Sequence, residues 1–163
     1  MIVLHRSSDE VSNLQDVLAR ATKMPVLIAT QAQRLSPRSV YIGKPDEHLT
    51  LMAQEAASLI EGIEHKYRNR TIDGMFDSLA LRPRERAVGV VFSGLLDDGS
   101  RGLAAIHAAG GITMVLNPGH KPFGMQQNAI DLDGPITFIG SASQIGDAVE
   151  EIVRHRSATS GKH

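Results

Sequence analysis

Ala87-Val88-Gly89-Val90-Val91-Phe92-Ser93-Gly94-Leu95-Leu96-Asp97-Asp98-Gly99-Ser100-Arg101-Gly102 is the stretch that decides the fold. An apolar run of strand length passes into a glycine-bounded turn, and the turn opens a segment where Leu103, Ile106 and Ala109 recur at helical spacing. Strand, turn and helix in that order are the unit from which parallel sheets are wound. On the upstream side Ile72, Met75, Phe76 and Leu79 share one helical face, which predicts a helix over 72–81, with Pro83 beyond its end. Downstream, Gly110-Gly111 stops the helix, residues 112–116 read as a strand, and Asn117-Pro118-Gly119 as a turn. A short helix over 124–130, a strand over 136–139 and an amphipathic helix through Ile145, Val149, Ile152 and Val153 follow.

The N-terminal half repeats the alternation. Ile2-Val3-Leu4-His5 reads as a first strand; Ser7 and Glu10 have capping-box spacing, and Val11, Leu14, Val17, Leu18 and Ala21 form one helical stripe. Val26-Leu27-Ile28-Ala29 and Val40-Tyr41-Ile42 read as strands, and residues 48–61 as the two strands of an antiparallel hairpin. The expected architecture is α/β, a doubly wound, mainly parallel sheet with helices on both faces and a small antiparallel hairpin. Residues 1–156 form one domain, and 157–163 are expected to be a disordered polar tail.

Composition narrows the function. In 163 residues, Lys+Arg number 17 against Asp+Glu 18, a formal charge of −1 that disfavours binding to duplex nucleic acid. Aromatics are only 4% with no Trp, too few for platforms that stack single-stranded bases. Cys is absent, which excludes disulfides, thiol catalysis and thiolate zinc sites. No signal-peptide pattern and no apolar run near the ~20 residues of a membrane span is found, so a cytoplasmic protein without membrane insertion is expected.

In an open parallel sheet, functional groups gather where strands end at the carboxyl edge. His5 closes the first strand and Asp98 lies in the loop after the 87–92 run, so parallel strands would open both loops on one edge. An Asp–His pair has specific chemistry: the carboxylate fixes the imidazole tautomer, and the imidazole takes a proton from a nucleophile. A structural reading stands beside it, with His5 a satisfied strand-end group and Asp98 a turn or N-cap residue. The G-x-x-x-x-G spacing of Gly94 and Gly99 is not a phosphate loop, because Ser100-Arg101 follows where Lys and Ser or Thr are needed. Asp97 with Asp98 leaves a divalent-metal reading open, and no His spacing supports zinc. Lys66, Arg68, Arg70, Arg82, Arg84 and Arg86 concentrate positive charge mid-chain, either as solvated surface or to orient an acidic protein substrate. Met75, Met114 and Met125 read as core filler.

The segment Val91 to Gly102 resembles the G-M-G-x-D-G loop of the chemotaxis protein-glutamate methylesterase family, with Asp98 on that family's catalytic aspartate. Val3-Leu4-His5 resembles its strand ending in the catalytic histidine, and Tyr41-Ile42-Gly43-Lys44-Pro45-Asp46-Glu47-His48-Leu49 its Y-I-A-P-x-D-x-H-L stretch. Arg68-Asn69-Arg70-Thr71-Ile72-Asp73 is similar to N-R-x-R-P-S-V-D, and Phe123-Gly124-Met125 with Ala129-Ile130 to F-G-M-P-x-x-A-I. The resemblance implies a hydrolase acting on methylated chemoreceptors, and in some members a deamidase. It works by acyl transfer with no cofactor or metal. His5 would be the base and Asp98 its partner, with Leu95 at the oxyanion pocket and Arg68 and Arg70 near the substrate.

The departures from the family pattern bear on activity. The family's nucleophile lies in a G-A-S-T-G-G turn on a unit ahead of the histidine strand, and no residue in 1–163 corresponds to it. Ser7 follows His5 too closely to be presented by a separate turn, and Ser93 is the other substitute weighed. An upstream start, a decayed copy and a binding module retained without catalysis each account for the difference. A sheet lacking that first nucleophile-bearing strand is expected to expose a neighbour's edge, through which the chain associates. Nothing in these residues matches the family's receiver domain, so phosphorylation control in cis is not expected.

Overall fold

The computed structural model describes residues 1–4, 13–45, 47–61, 71–82, 87–94, 97–119, 124–132 and 136–160. The chain orders its elements as α1 (Leu14–Ala21), β1 (Val26–Ile28), β2 (Val40–Ile42), β3 (Glu47–Met52), β4 (Ala56–Glu61), α2 (Thr71–Ala80), β5 (Val88–Val91), α3 (Ser100–Ala108), β6 (Ile112–Leu116), α4 (Met125–Asp131), β7 (Phe138–Gly140) and α5 (Ala142–Ser160). The capping box at Ser7 and Glu10 lies outside the described residues. α5 runs on through the first four residues of the segment expected to be a tail.

Parallel strands dominate, in two groups. β5, β6 and β7 pair in that order, all parallel, with Val88 opposite Ile112 and Met114 opposite Phe138. β1 and β2 are parallel as well, and Ile2 bridges to Ile42 in the same sense, its N–H donating to the Tyr41 carbonyl at 2.8 Å. β2 is therefore central in its group, with β1 on one side and residues 1–4 on the other. β3 and β4 form the antiparallel hairpin, Leu49 opposite Leu59, as the sequence predicts.

β6 is apolar at four of its five positions because both its faces are covered. Val115 joins Phe76, Leu103, Ile106, Met125 and Ala129 in the larger core cluster, which places α2, α3 and α4 on that face. Met114 points to the opposite face, where α5 packs on β6 and β7, so helices cover both sides of a doubly wound sheet. The polar residue on β6, Thr113, is fully buried and exchanges hydrogen bonds with Thr137: its N–H donates to Thr137 Oγ1 at 3.2 Å, and the Thr137 N–H donates to Thr113 Oγ1 at 3.1 Å. All three methionines read as filler, Met75, Met114 and Met125, are buried.

Among the described residues the two parallel groups are not paired with each other. Residues 1–4 and β5 both line a cleft of about 720 Å³, which Leu14 and Leu18 of α1 and Val149 and Ile152 of α5 also line. α1 buries none of its residues, and Val17 on its stripe is 58% exposed. The sequence predicts a stripe facing a core, and here the core is a cleft. Among the described residues, no helix is long and apolar enough to cross a membrane.

α2 and α3 approach so closely at Gly102 that a Cβ there would fall on Phe76 Cβ and lie 3.1 Å from Asp73 Cα. Gly102→Ala is therefore expected to destabilise the protein by about 1–3 kcal/mol, as overpacking does. Urea unfolding checks this, and a midpoint equal to that of the unsubstituted protein would show that the helices can part without cost.

Candidate active site

The loop after β5 reaches Asp98 at the sheet's carboxyl edge, and Asp98 is 1% exposed. Its carboxylate caps a helix other than the one it precedes. Oδ2 accepts the N–H of Ile72 at 2.9 Å and Oδ1 that of Asp73 at 2.8 Å, both in the first turn of α2. Asp73 returns the arrangement, since its Oδ1 accepts the N–H of Gly99 at 2.9 Å and of Gly102 at 2.8 Å, at the start of α3. First-turn N–H groups have no intrahelical acceptor, and the positive end of a helix favours a carboxylate. Each acid therefore satisfies two donors of the other's helix, and the pair crosses between α2 and α3.

Local sequence explains the geometry. Gly99 takes a φ of +96°, which a residue with a side chain would resist, and turns the chain from Asp98 into α3. Earlier in the loop the Gly94 carbonyl accepts the N–H of Met125, first residue of α4, at 3.1 Å, and a side chain at Gly94 would strike Met125 Cε. The loop is thus held at its beginning by α4 and at its end by α2. The two backbone N–H bonds fix the direction in which the Asp98 carboxylate points.

Of the residues singled out from sequence, Asp98 is described, and His5, Leu95, Arg68 and Arg70 lie outside the described residues. Leu4, next before His5, lines the same cleft as Phe92 and Ser93, next after β5. Ser93 is exposed, and Ser7 is outside the described residues. Among the basic residues, Arg82 is structural: Nη2 donates to the Leu51 carbonyl at 3.0 Å and ties the end of α2 to the hairpin. No group of three or more potential metal-ligating side chains occurs among the described residues. Both Asp98 oxygens already accept backbone N–H groups, an arrangement that serves a helix terminus.

Asp73 is the residue that sequence reasoning missed as part of the site. The available signal was an acid in a first helical turn, Thr71-Ile72-Asp73, combined with two glycines three residues apart in the loop it faces. A further contact supports the same helix end, where His48 Nδ1 and Thr71 Oγ1 lie 2.8 Å apart. Another orienting pair, Lys44 Nζ with Glu47 Oε1 at 3.1 Å, braces the turn between β2 and β3.

Comparison with known proteins agrees with the fold. The family model described as CheB methylesterase matches residues 1–149. A protein-glutamate methylesterase/protein-glutamine glutaminase of Paramagnetospirillum magneticum is 30% identical over 132 residues, 80% of this chain and 37% of that protein. The corresponding Escherichia coli (strain K12) protein is 29% identical over 138 residues, 82% of this chain and 40% of its own. A 104.1 kDa protein from the hypE 3′ region of Rhodobacter capsulatus is 36% identical over 119 residues, 72% of this chain and 12% of that protein. The chain spans less than half the length of these curated relatives. The crystal structure of the Thermotoga maritima CheB methylesterase catalytic domain superposes with a TM-score of 0.74 at 24% identity, covering 85% of this chain and 75% of that one.

The crossed carboxylates separate two roles. Asp73→Ala leaves two buried N–H groups at the start of α3 without acceptors and should cost about 2–4 kcal/mol. Asp73→Asn keeps an acceptor oxygen and should cost less. Denaturant unfolding of both variants checks the order, and equal losses would show that the hydrogen bonds to Gly99 and Gly102 contribute nothing.

Proposed function

The chain belongs to the CheB methylesterase family, and from that premise we propose that it is the catalytic domain of a protein-glutamate methylesterase, a carboxylic-ester hydrolase acting on methylated glutamate side chains of chemoreceptors in bacterial chemotaxis. The observation that supports this most is Asp98, buried at the carboxyl edge and aimed by two backbone N–H groups, in a loop whose first residues line the same cleft as residues 1–4, the segment that leads into His5.

The chemistry is acyl transfer. A serine hydroxyl attacks the ester carbonyl while His5 accepts its proton, and Asp98 holds the imidazole tautomer and stabilises the imidazolium. The tetrahedral oxyanion is stabilised by backbone N–H groups near Leu95, and collapse expels methanol, protonated by His5. Water, deprotonated by His5, then releases the glutamate carboxylate. An amide in place of the ester would follow the same course and release ammonia, the deamidation that relatives' names carry. Arg68 and Arg70 orient the acidic receptor segment, and the setting is cytoplasmic signal transduction downstream of a phosphorelay. Residues 1–163 contain no counterpart of the family's serine turn, so in this reading the nucleophile comes from outside them. That difference also favours a second reading, a non-catalytic module that keeps the fold and binds receptors or a signalling partner.

The protein isolated from its source cells separates the two. We expect an intact mass several kilodaltons above 17.6 kDa and methanol release from methylated receptor. His5→Ala and Asp98→Asn should each lower the rate on the order of 10³–10⁴-fold. A mass of 17.6 kDa with receptor binding and no methanol release would establish the binding module instead. Full turnover in His5→Ala would remove the triad assignment.

A further inference from the structure

The proposed base and the proposed acid stand on different parts of the fold, and their chemistry needs a fixed distance between them. Asp98, Asp73 and the starts of α2 and α3 form a closed set of hydrogen bonds that orients its members against one another. That set does not by itself locate them relative to residues 1–4, which lead into His5. Residues 1–4 are tied to β2 instead, where Ile2 bridges to Ile42 and donates to the Tyr41 carbonyl. Among the described residues β2 and β5 belong to separate sheets, so no ladder between them carries the distance across.

His48 stands where the two parts meet. It lies in β3, which follows β2 closely in the chain, and its Nδ1 is 2.8 Å from Thr71 Oγ1. Thr71 opens α2, and the next two N–H groups, of Ile72 and Asp73, are the ones that the Asp98 carboxylate accepts. A path of hydrogen bonds and short spans of chain therefore runs from Ile2 through β2 and His48 to Thr71 and on to Asp98. Further ties between α2 and β3 are made at Leu51, which meets Ser78 and Arg82. Ser78 is about 10 Å along the helix from Thr71 at 1.5 Å per residue, so a tilt about those ties moves the start of α2 and the carboxylate bound there.

We propose that His48 is a positioning residue for the ester hydrolysis argued above, a reading on which this inference rests: through Thr71 it fixes the start of α2, and with it the direction of the Asp98 carboxylate, relative to the segment that leads into His5. A triad works through an aligned His–Asp hydrogen bond, and a misplacement of about 1 Å can cost about a hundredfold in rate. The role belongs to the Nδ1 position. A neutral imidazole either accepts the Thr71 hydroxyl proton there or donates its own, and threonine answers both, since a hydroxyl has a donor and two acceptor sites. An asparagine amide reaches about as far as Nδ1 and offers an oxygen or an N–H at that place, whereas a glutamine amide stands one bond further out.

The protein as its own cells make it, with each substitution carried in the gene, gives two readouts. His48→Ala and Thr71→Val are each expected to speed hydrogen exchange at the Ile72 and Asp73 amides about tenfold or more relative to Val115, a fully buried residue of β6 whose amide reports opening of the whole core. Each should also lower kcat for methanol release by about 10–100-fold with KM within about twofold. The double variant should be no worse than either single one, as for two residues acting through one contact. His48→Asn should restore both readouts and His48→Gln neither. Exchange that rises equally at Val115 would reduce the effect to general stability and overturn the inference, as would unchanged exchange, unchanged kcat or equal rescue by glutamine. Those outcomes are read against turnover in the unsubstituted protein that His5→Ala abolishes; absence of that turnover would overturn the methylesterase reading and the positioning role with it.

Discussion

Two carboxylates crossed between two helix starts hold the centre of this molecule. Asp98 satisfies the first turn of α2 and Asp73 the first turn of α3, through four backbone N–H bonds of 2.8–2.9 Å. Isolated buried acids are expensive, and here the cost is offset by donors that would otherwise be orphaned and by the positive ends of two helices. Gly102 lets the helices close to the distance the crossing needs, and Gly99 supplies the backbone turn. One arrangement therefore fixes the helix pair and the orientation of the acid proposed to act on His5. The proposed catalytic role and the structural one share a residue at Asp98, whereas Asp73 carries the structural one.

The rest of the architecture divides around that centre. β5, β6 and β7 have a core covered on both faces, with β6 fully internal. β1, β2 and residues 1–4 form a smaller group whose own cluster is built on Tyr41, Leu49 and Ala57. The hairpin joins that cluster and also packs against α2, so among the described residues continuity between the halves runs through side chains rather than through a continuous hydrogen-bonded sheet. Amphipathic stripes on α1 and α5 are satisfied only in part for the same reason.

Sequence patterning made most of the elements legible where a single period dominates. β6 occupies 112–116 as read, and α2, α3, α4 and β7 lie within two or three residues of their expected bounds, because glycine and proline punctuate them. The hairpin was legible from Leu49, Leu51, Leu59 and Ile60, although its turn was not. Gln54 and Glu55 adopt φ of +62° and +58°, a left-handed turn without the glycine or asparagine that announces one. The loop position of Asp98 was legible, and its reading as a turn or N-cap residue is met at the start of α2 rather than of the helix it precedes: a cap on a distant element depends on a contact 25 residues away, as with Asp73. Asp73 was illegible for the same reason. Local spacing carries no information about which helix start a side chain will meet.

α2 is fastened at both ends to the hairpin as well as to α3. Near its start, Thr71 meets His48 of β3; near its end, Ser78 Oγ accepts the Leu51 N–H at 3.0 Å and Arg82 donates to the Leu51 carbonyl. Leu51 thus spends both backbone groups on α2 and the turn that follows it, at an edge where a third strand would otherwise compete for them. Opening of the hairpin away from α2 would break all three of these contacts. A helix gripped in this way behaves as a strut, so a push on the hairpin from a docked protein would arrive at the Asp98 loop as a displacement of the whole helix.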